Sequence, residues 1–250
     1  MNVLIVYAHS QPSSFNAALL DTAVQTLGEE GHAVQVSDLY AMKFNPVASE
    51  ADFKERRFEG HMQYDREQKH SLQQGTFRAD IAAEIEKVLW CDLLILQFPL
   101  WWYGAPAIMK GWFDRVFVNG LMYGQLGRFD KGGMKGKKAM VSMTTGCFPG
   151  MVEEGGVMGH LDAMLWHLQY GTLANVGFDV LEPFVAWSTR YSEDDARKEY
   201  LDEYAACLRK LDEIPVKYVH PTEEFGQDWK LKPGIEGKTI GHKPFKPEYK

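Results

Sequence analysis

Apolar residues recur along this chain in two rhythms, and their order predicts a fold. Residues 3–8 form a short apolar run between turn-prone residues, the mark of a buried strand. Residues 16–30 place Ala18, Leu19, Ala23 and Leu27 at helical spacing and stop before Gly31. Residues 33–39 alternate as a second strand. Residues 42–75 are long, polar and irregular, and loops of that length are usually functional or interfacial. Residues 80–90 are an amphipathic helix through Ile81, Ile85, Val88 and Leu89, and residues 93–98 a third strand. A helix over 107–118 follows, with Pro106 at its first position. Then come a strand over 138–144, a helix over 161–173, a strand over 178–184 and a charged helix over 193–211. Strands alternating with helices predict an α/β fold, a parallel sheet covered on both faces. Right-handed crossovers make it doubly wound, and the five-stranded version has a flavodoxin-like order. Residues 1–213 are assigned to this domain.

From Ile214 the pattern changes. Pro215, Pro221, Pro233, Pro244 and Pro247 punctuate a polar C-terminal extension over 214–250. It reads either as a surface extension or as an arm reaching a partner subunit, because Tyr218, Phe225 and Trp229 are poor free solvent residues.

The segment Gln97-Phe98-Pro99-Leu100-Trp101-Trp102-Tyr103-Gly104-Ala105-Pro106 links the third strand to its helix. Three aromatics in a row at the carboxyl end of a strand make a flat apolar wall, and open α/β sheets bind ligands at such loops. A planar ring system suits that wall, and flavin is the first candidate. The loop after the first strand, His9-Ser10-Gln11-Pro12-Ser13-Ser14-Phe15-Asn16, offers hydroxyls, amides and a helix start. That suits an anion, although Ser14 or Asn16 could equally serve as a helix N-cap. It contains neither GxGxxG nor a P-loop, so a nucleotide is not held as in a Rossmann dehydrogenase. Thr144-Thr145-Gly146 after the fourth strand could face the polar edge of a flavin with N–H donors, or form an ordinary turn. Strands one, three and four are neighbours in the flavodoxin-like order, so these loops converge in one crevice.

Composition narrows the class. With 250 residues, 45% hydrophobic and 24% charged, the chain has ample core. A net charge of −7 without a basic stripe argues against general nucleic-acid binding. Cys91, Cys147 and Cys207 form no CxxC, which suggests a reducing compartment. The N-terminus enters a strand without a basic leader, so a cytoplasmic location is expected. The apolar region 93–109 is broken by Gln97, Pro99, Gly104 and Pro106, and no membrane segment is expected. His160 and His167 lie seven apart with no evident third ligand, so no metal site is expected.

The chain resembles the NAD(P)H quinone dehydrogenases of the DT-diaphorase type. The resemblance is carried by Ser37-Asp38-Leu39-Tyr40-Ala41-Met42-Lys43-Phe44-Asn45-Pro46, by Gln97-Phe98-Pro99-Leu100 with Trp102, Gly104, Pro106 and Ala107, and by Lys110-Gly111-Trp112-Phe113. Tyr123, Asp130-Lys131-Gly132, Thr144-Thr145-Gly146 and Leu181-Glu182-Pro183 continue it in nearly constant register over roughly residues 1–210. It implies a homodimeric flavoprotein holding FAD, in preference to FMN, and using NAD(P)H as co-substrate. By position, His9, Phe15, Asn16 and Gln63 would hold the nucleotide portion or its surroundings. Leu100, Trp101, Trp102 and Tyr103 would pack on the isoalloxazine, Thr144, Thr145, Gly146 and Cys147 would line its polar edge, and Arg197 would lie near the adenine. The substrate pocket would be shared, with Tyr123 of one subunit facing Trp102 and Tyr103 of the other. The implied reaction is ping-pong two-electron (hydride) transfer from NAD(P)H through flavin N5 to a quinone.

One departure matters. The family pairs a tyrosine and a histidine in the loop after Thr-Thr-Gly, and without gaps those positions here are Val152 and Met158, which donate no proton. Cys147 replaces a second glycine. His160 and Tyr123 are the candidates for the proton step, with Glu153 and Glu154 nearby. The altered loop leaves two alternatives open: a flavin-dependent azo or nitro reductase, or a regulatory flavoprotein ancillary to a membrane transporter.

Overall fold

A computed structural model describes residues 1–58, 60–124 and 127–243. The strands are β1 (Asn2–Tyr7), β2 (Ala33–Asp38), β3 (Leu93–Pro99), β4 (Lys138–Thr144), β5 (Asp179–Val180) and β6 (Phe184–Ala186). The sheet runs β2-β1-β3-β4-β5, with β6 also paired to β4, and every pairing is parallel. This is the flavodoxin-like order that the alternation of elements predicts. Among the described residues, six α-helices accompany it: α1 (Phe15–Glu29), α2 (Tyr64–Gln74), α3 (Ala79–Trp90), α4 (Ala107–Val116), α5 (Leu161–Leu168) and α6 (Asp194–Leu208).

β1, β3 and β4 are buried on both sides, so alternate residues serve two cores. Val3 and Ile5 of β1 and Leu93 and Ile95 of β3 pack with Leu19, Ala23 and Leu27 of α1 and Tyr204 and Leu208 of α6. Leu4, Val6, Leu94, Leu96 and Phe98 face the opposite way, toward Ile81 and Ile85 of α3, Trp112 and Val116 of α4, and Leu165 of α5.

Four expectations need correction. The polar stretch 42–75 contains a helix, α2, which hydrophobic spacing could not reveal because its buried residues are Glu67, Gln68 and Ser71. Glu67 is fully buried, and its carboxylate accepts from the Arg57 and Phe58 backbone N–H groups at 2.8 and 3.2 Å. Pro106 is the N-cap of α4 rather than its first residue. The helix expected over 161–173 ends at Leu168 and widens into a π turn over Gln169–Leu173. The fifth strand is split into β5 and β6 around Leu181-Glu182-Pro183, since proline has no N–H to continue a ladder.

The extension folds back on its own chain as far as it is described. Leu181 bridges Val216 in antiparallel sense, Glu182 N–H donates to Pro215 O at 2.9 Å, and Lys217 N–H to Val180 O at 2.7 Å. This covers a sheet edge that would otherwise present open backbone groups. Further on, His220 is fully buried, bonded through Nδ1 to Glu224 at 2.6 Å and accepting at Nε2 from Lys238 N–H at 3.0 Å. His242 then lies edge-on to the stacked rings of Trp166 and Tyr170. Trp229 stays 83% exposed at positive φ. Pro244 and Pro247 lie outside the described residues.

Candidate functional site

The carboxyl ends of β3 and β4 are tied to the start of α1 through one residue. Asn16, in the first turn of α1, is 3% exposed. Its Nδ2 donates to Thr144 Oγ1 at 2.6 Å, and its backbone carbonyl accepts from Gln97 Nε2 at 2.6 Å. Gln97 Oε1 in turn accepts from Tyr204 OH at 3.5 Å. Asn16 Oδ1 is buried with no donor among the described residues, an acceptor waiting for a partner. Ser14 is the N-cap of α1, its hydroxyl accepting from Ala17 N–H at 3.2 Å. The Phe15 and Asn16 N–H groups precede any intrahelical acceptor and give the crevice its anion-favouring end.

The aromatic wall is a two-residue hairpin. Trp101 and Gly104 exchange both backbone hydrogen bonds at 3.0 Å, and Trp102 and Tyr103 between them have φ of 49° and 64°. Both central residues are therefore left-handed, a turn normally filled by Asn-Gly. Holding bulky aromatics there costs of order 1–3 kcal/mol each, a strain that concentrates at functional sites. The turn tips Trp102 fully into solvent, 99% exposed, with Trp101 and Tyr103 about half-exposed. Leu100 N–H donates to Thr144 O at 2.8 Å and ties the hairpin to β4, and the Trp101 ring lies 6.2 Å from that of His9.

The third wall follows β4. Thr144 and Thr145 are buried, while Gly146 is exposed. Thr145 N–H is engaged with Ala186 O, and Cys147 N–H with Thr145 Oγ1. Among the described residues, the N–H groups of Trp102, Tyr103 and Gly146 have no protein acceptor. Cys147 Sγ lies 3.3 Å from Met158 Sδ, so two of the three altered positions touch. Arg197, in the first helical turn of α6, donates to Thr189 O at 3.5 Å and pairs with Asp194 at 2.9 Å.

The structure thus brings His9, Phe15, Asn16, Leu100, Trp101, Trp102, Tyr103, Thr144, Thr145, Gly146 and Cys147 to one edge of the sheet. Gln63 and Tyr123 lie elsewhere in the protomer. Gln63 caps α2, and Tyr123 lines a cavity of about 620 Å³ with Tyr64, Asp65, Gln68, Lys110 and Asp114. Burial raises the pKa of the Tyr123 phenol, and Asp65 adds to it. His160 caps α5, its Nδ1 accepting from Asp162 N–H at 3.1 Å. It lines a separate cavity of about 350 Å³ with Val152, Glu153, Glu154, Trp187 and Lys217. Burial opposes the Lys217 ammonium, but Glu182 and Asp162, at 2.8 and 2.9 Å, overcome it and raise its pKa. Among the described residues, no cluster of three or more His, Cys, Asp or Glu could hold a metal ion.

Sequence reasoning named Gln97 in the motif but gave it no role, although a glutamine inside an otherwise apolar strand was the available signal. The buried acceptor, the unpaired N–H groups and the exposed flat wall fit a flavin, which carries ring acceptors, ribityl hydroxyls and a planar face.

A family model for the flavodoxin-like fold matches residues 1–208. The chain is 39% identical to NAD(P)H dehydrogenase (quinone) 1 of Cavia porcellus, covering 98% of this chain and 94% of that protein. It is 41% identical to ribosyldihydronicotinamide dehydrogenase (quinone) of Homo sapiens, over 84% and 91% respectively. A crystal structure from Klebsiella pneumoniae, provisionally described as a quinone reductase, superposes with a TM-score of 0.90 at 35% identity, over 95% and 97% of the two chains.

Proposed function

The chain belongs to the flavodoxin-like family alongside the NAD(P)H dehydrogenases (quinone), and from that membership we propose that it is an FAD-dependent NAD(P)H:quinone oxidoreductase working by ping-pong hydride transfer. The observation that carries this reading is the convergence of the Trp101–Gly104 hairpin, Asn16 and Thr144 at the carboxyl ends of adjacent strands. When bound, the flavin supplies the two-electron relay between the nicotinamide donor and the quinone.

The protein's own residues supply position and polarity. Leu100, Trp101, Trp102 and Tyr103 give the stacking face that aligns planar reactants, and alignment is itself a large part of the rate. The unpaired N–H groups of Gly146, Trp102 and Tyr103 would stabilise negative charge that develops on reduction. Asn16 offers its free Oδ1 to a hydroxyl, and Phe15 and Asn16 offer N–H groups to a phosphate. The choice of FAD over FMN rests on the resemblance at His9, Gln63 and Arg197. The working unit is a homodimer, in which Tyr123 of each subunit completes the other's pocket. Three free cysteines suit a reducing cytoplasm.

An azo or nitro compound as acceptor is the second reading, favoured by the replacement of the proton-donating pair with Val152 and Met158. An anaerobic spectrum of the FAD-loaded protein tests both. Bleaching by NADPH or NADH and recovery with a simple quinone is the expected result. Recovery with an azo dye but not a quinone selects the second reading. Flavin binding without bleaching by either donor removes the catalytic reading and leaves a regulatory flavoprotein.

A further inference from the structure

One polar side chain interrupts β3. Gln97 is fully buried and continues the row of Leu93 and Ile95, which packs against α1 and α6. Both ends of its amide are used, and they join those two helices across the carboxyl end of the strand. Asn16 O can only accept, so the amide nitrogen faces α1 and donates at 2.6 Å. The amide oxygen then faces α6, where Tyr204 OH donates at 3.5 Å. Burial pushes the Tyr204 phenol well above its ordinary pKa, so it keeps the proton it donates. Its ring is held by stacking on Phe184, with centroids 4.4 Å apart.

The fold does not require this amide. A carbonyl in the first turn of a helix accepts from the N–H four residues on, so Asn16 O is satisfied within α1 without Gln97. Ser142 stands beside the Tyr204 hydroxyl as another partner. A methionine of similar length would fill the same space and complete the apolar row. A buried amide is penalised unless its ends are bonded, and here the shorter bond goes to the residue that serves the crevice. Asn16 carries the unpartnered Oδ1, the bond to Thr144 and one of the N–H groups at the start of α1. A small shift of its backbone moves all three together.

We infer that Gln97 is a positioning residue of the crevice: it pins the Asn16 backbone to β3 and so sets the Asn16 groups where a flavin needs them. The inference rests on the flavin-binding part of the oxidoreductase reading. It holds for FAD and FMN alike, which share the ring, the ribityl chain and the first phosphate.

The test titrates FAD into flavin-free, full-length wild type, Gln97→Met and Gln97→Glu, with melting temperatures measured before flavin is added. In Gln97→Met the FAD dissociation constant should rise about fivefold or more, while the melting temperature stays within about two degrees of wild type or rises. Gln97→Glu adds a readout that packing alone would not move. Its carboxyl donates to Asn16 O only when protonated, and burial raises the pH at which that happens. The FAD affinity of this variant, relative to wild type, should therefore recover as the pH falls, and that of Gln97→Met should not. Unchanged FAD affinity in Gln97→Met, a melting temperature that falls along with its affinity, or a Gln97→Glu deficit that ignores pH would each overturn the inference. None of these measurements needs turnover. Wild type that binds FAD through Gln97 but reduces no quinone with either nicotinamide donor sinks the oxidoreductase reading and keeps the positioning role. Wild type that binds neither FAD nor FMN sinks both.

Discussion

At the scale of single residues, Trp102 and Asn16 carry most of the site. Trp102 contributes almost nothing to the protomer's core, so Trp102→Ala should leave the melting temperature within a degree or two. Its loss of stacking should weaken flavin retention about tenfold, measured by fluorescence on dilution. Asn16→Ala behaves differently. It removes the bond to Thr144 in a buried setting, at about 1–2 kcal/mol, and should lower both thermal stability and flavin affinity. His160 gives a third outcome. Its ring already serves as the N-cap of α5, so His160→Asn should preserve the helix start. If His160 also donates the proton, turnover should slow about tenfold or more in the variant. An unchanged rate removes it from the mechanism and leaves Tyr123 or solvent.

At the scale of elements, the Asn45-Pro46 and Lys110-Gly111 motifs prove to be two halves of one contact. A Cβ on Gly111 would stand 2.1 Å from Pro46 O, so only glycine lets α4 lie against that backbone. Four residues on, Arg115 donates to Asn45 O at 2.8 Å and to both oxygens of buried Asp52. Gly111→Ala should therefore destabilise by about 1–3 kcal/mol, read from denaturant midpoints. The extension is a second element with its own signature. Burial, then the neighbouring His220, lowers the pKa of His242 below 6.5. The stability this neutral histidine lends is present above pH 6.5 and fades as the pH falls through its lowered folded value. The hydrogen bond from His220 lowers Glu224 below 4.5, so its contribution persists to more acid pH before it too is lost. Limited proteolysis at Lys230, Lys232 and Lys238 should accelerate as the pH falls below 6.5, and His242→Asn should flatten that first step.

At the scale of the whole molecule, the proposed shared pocket turns on where two aromatic side chains stand. A fully exposed tryptophan sits on one surface, and the Tyr123 cavity opens elsewhere on the same chain. A shared pocket in a two-fold dimer makes a quantitative prediction. Mixing inactive Trp102→Ala and Tyr123→Ala subunits after random exchange should restore about a quarter of wild-type activity, because half the dimers then hold one intact site. Sites built within one chain would show no recovery, and sedimentation of wild type gives the oligomeric state directly.

The order of strands and helices was legible because a strand buried on both faces writes an unbroken apolar run, and a covering helix writes a 3.6-residue stripe. The three convergent loops followed from that order. Motif residues such as Asn45 and Gly111 could be noticed in sequence, but their reasons could not, since each answers to a partner distant in the chain. Helix α2 escaped notice because it is held by a buried carboxylate and amide rather than by apolar spacing. The left-handed backbone at Trp102 and Tyr103 goes against the local preference of both residues, and only the hairpin's closure on β4 imposes it. Sequence by itself determined the fold and the location of the crevice, both products of local pattern. Tertiary structure alone decided which polar groups there are spent on one another and which, like Asn16 Oδ1, remain free for a ligand, because hydrogen-bond partnership depends on distance in space rather than along the chain.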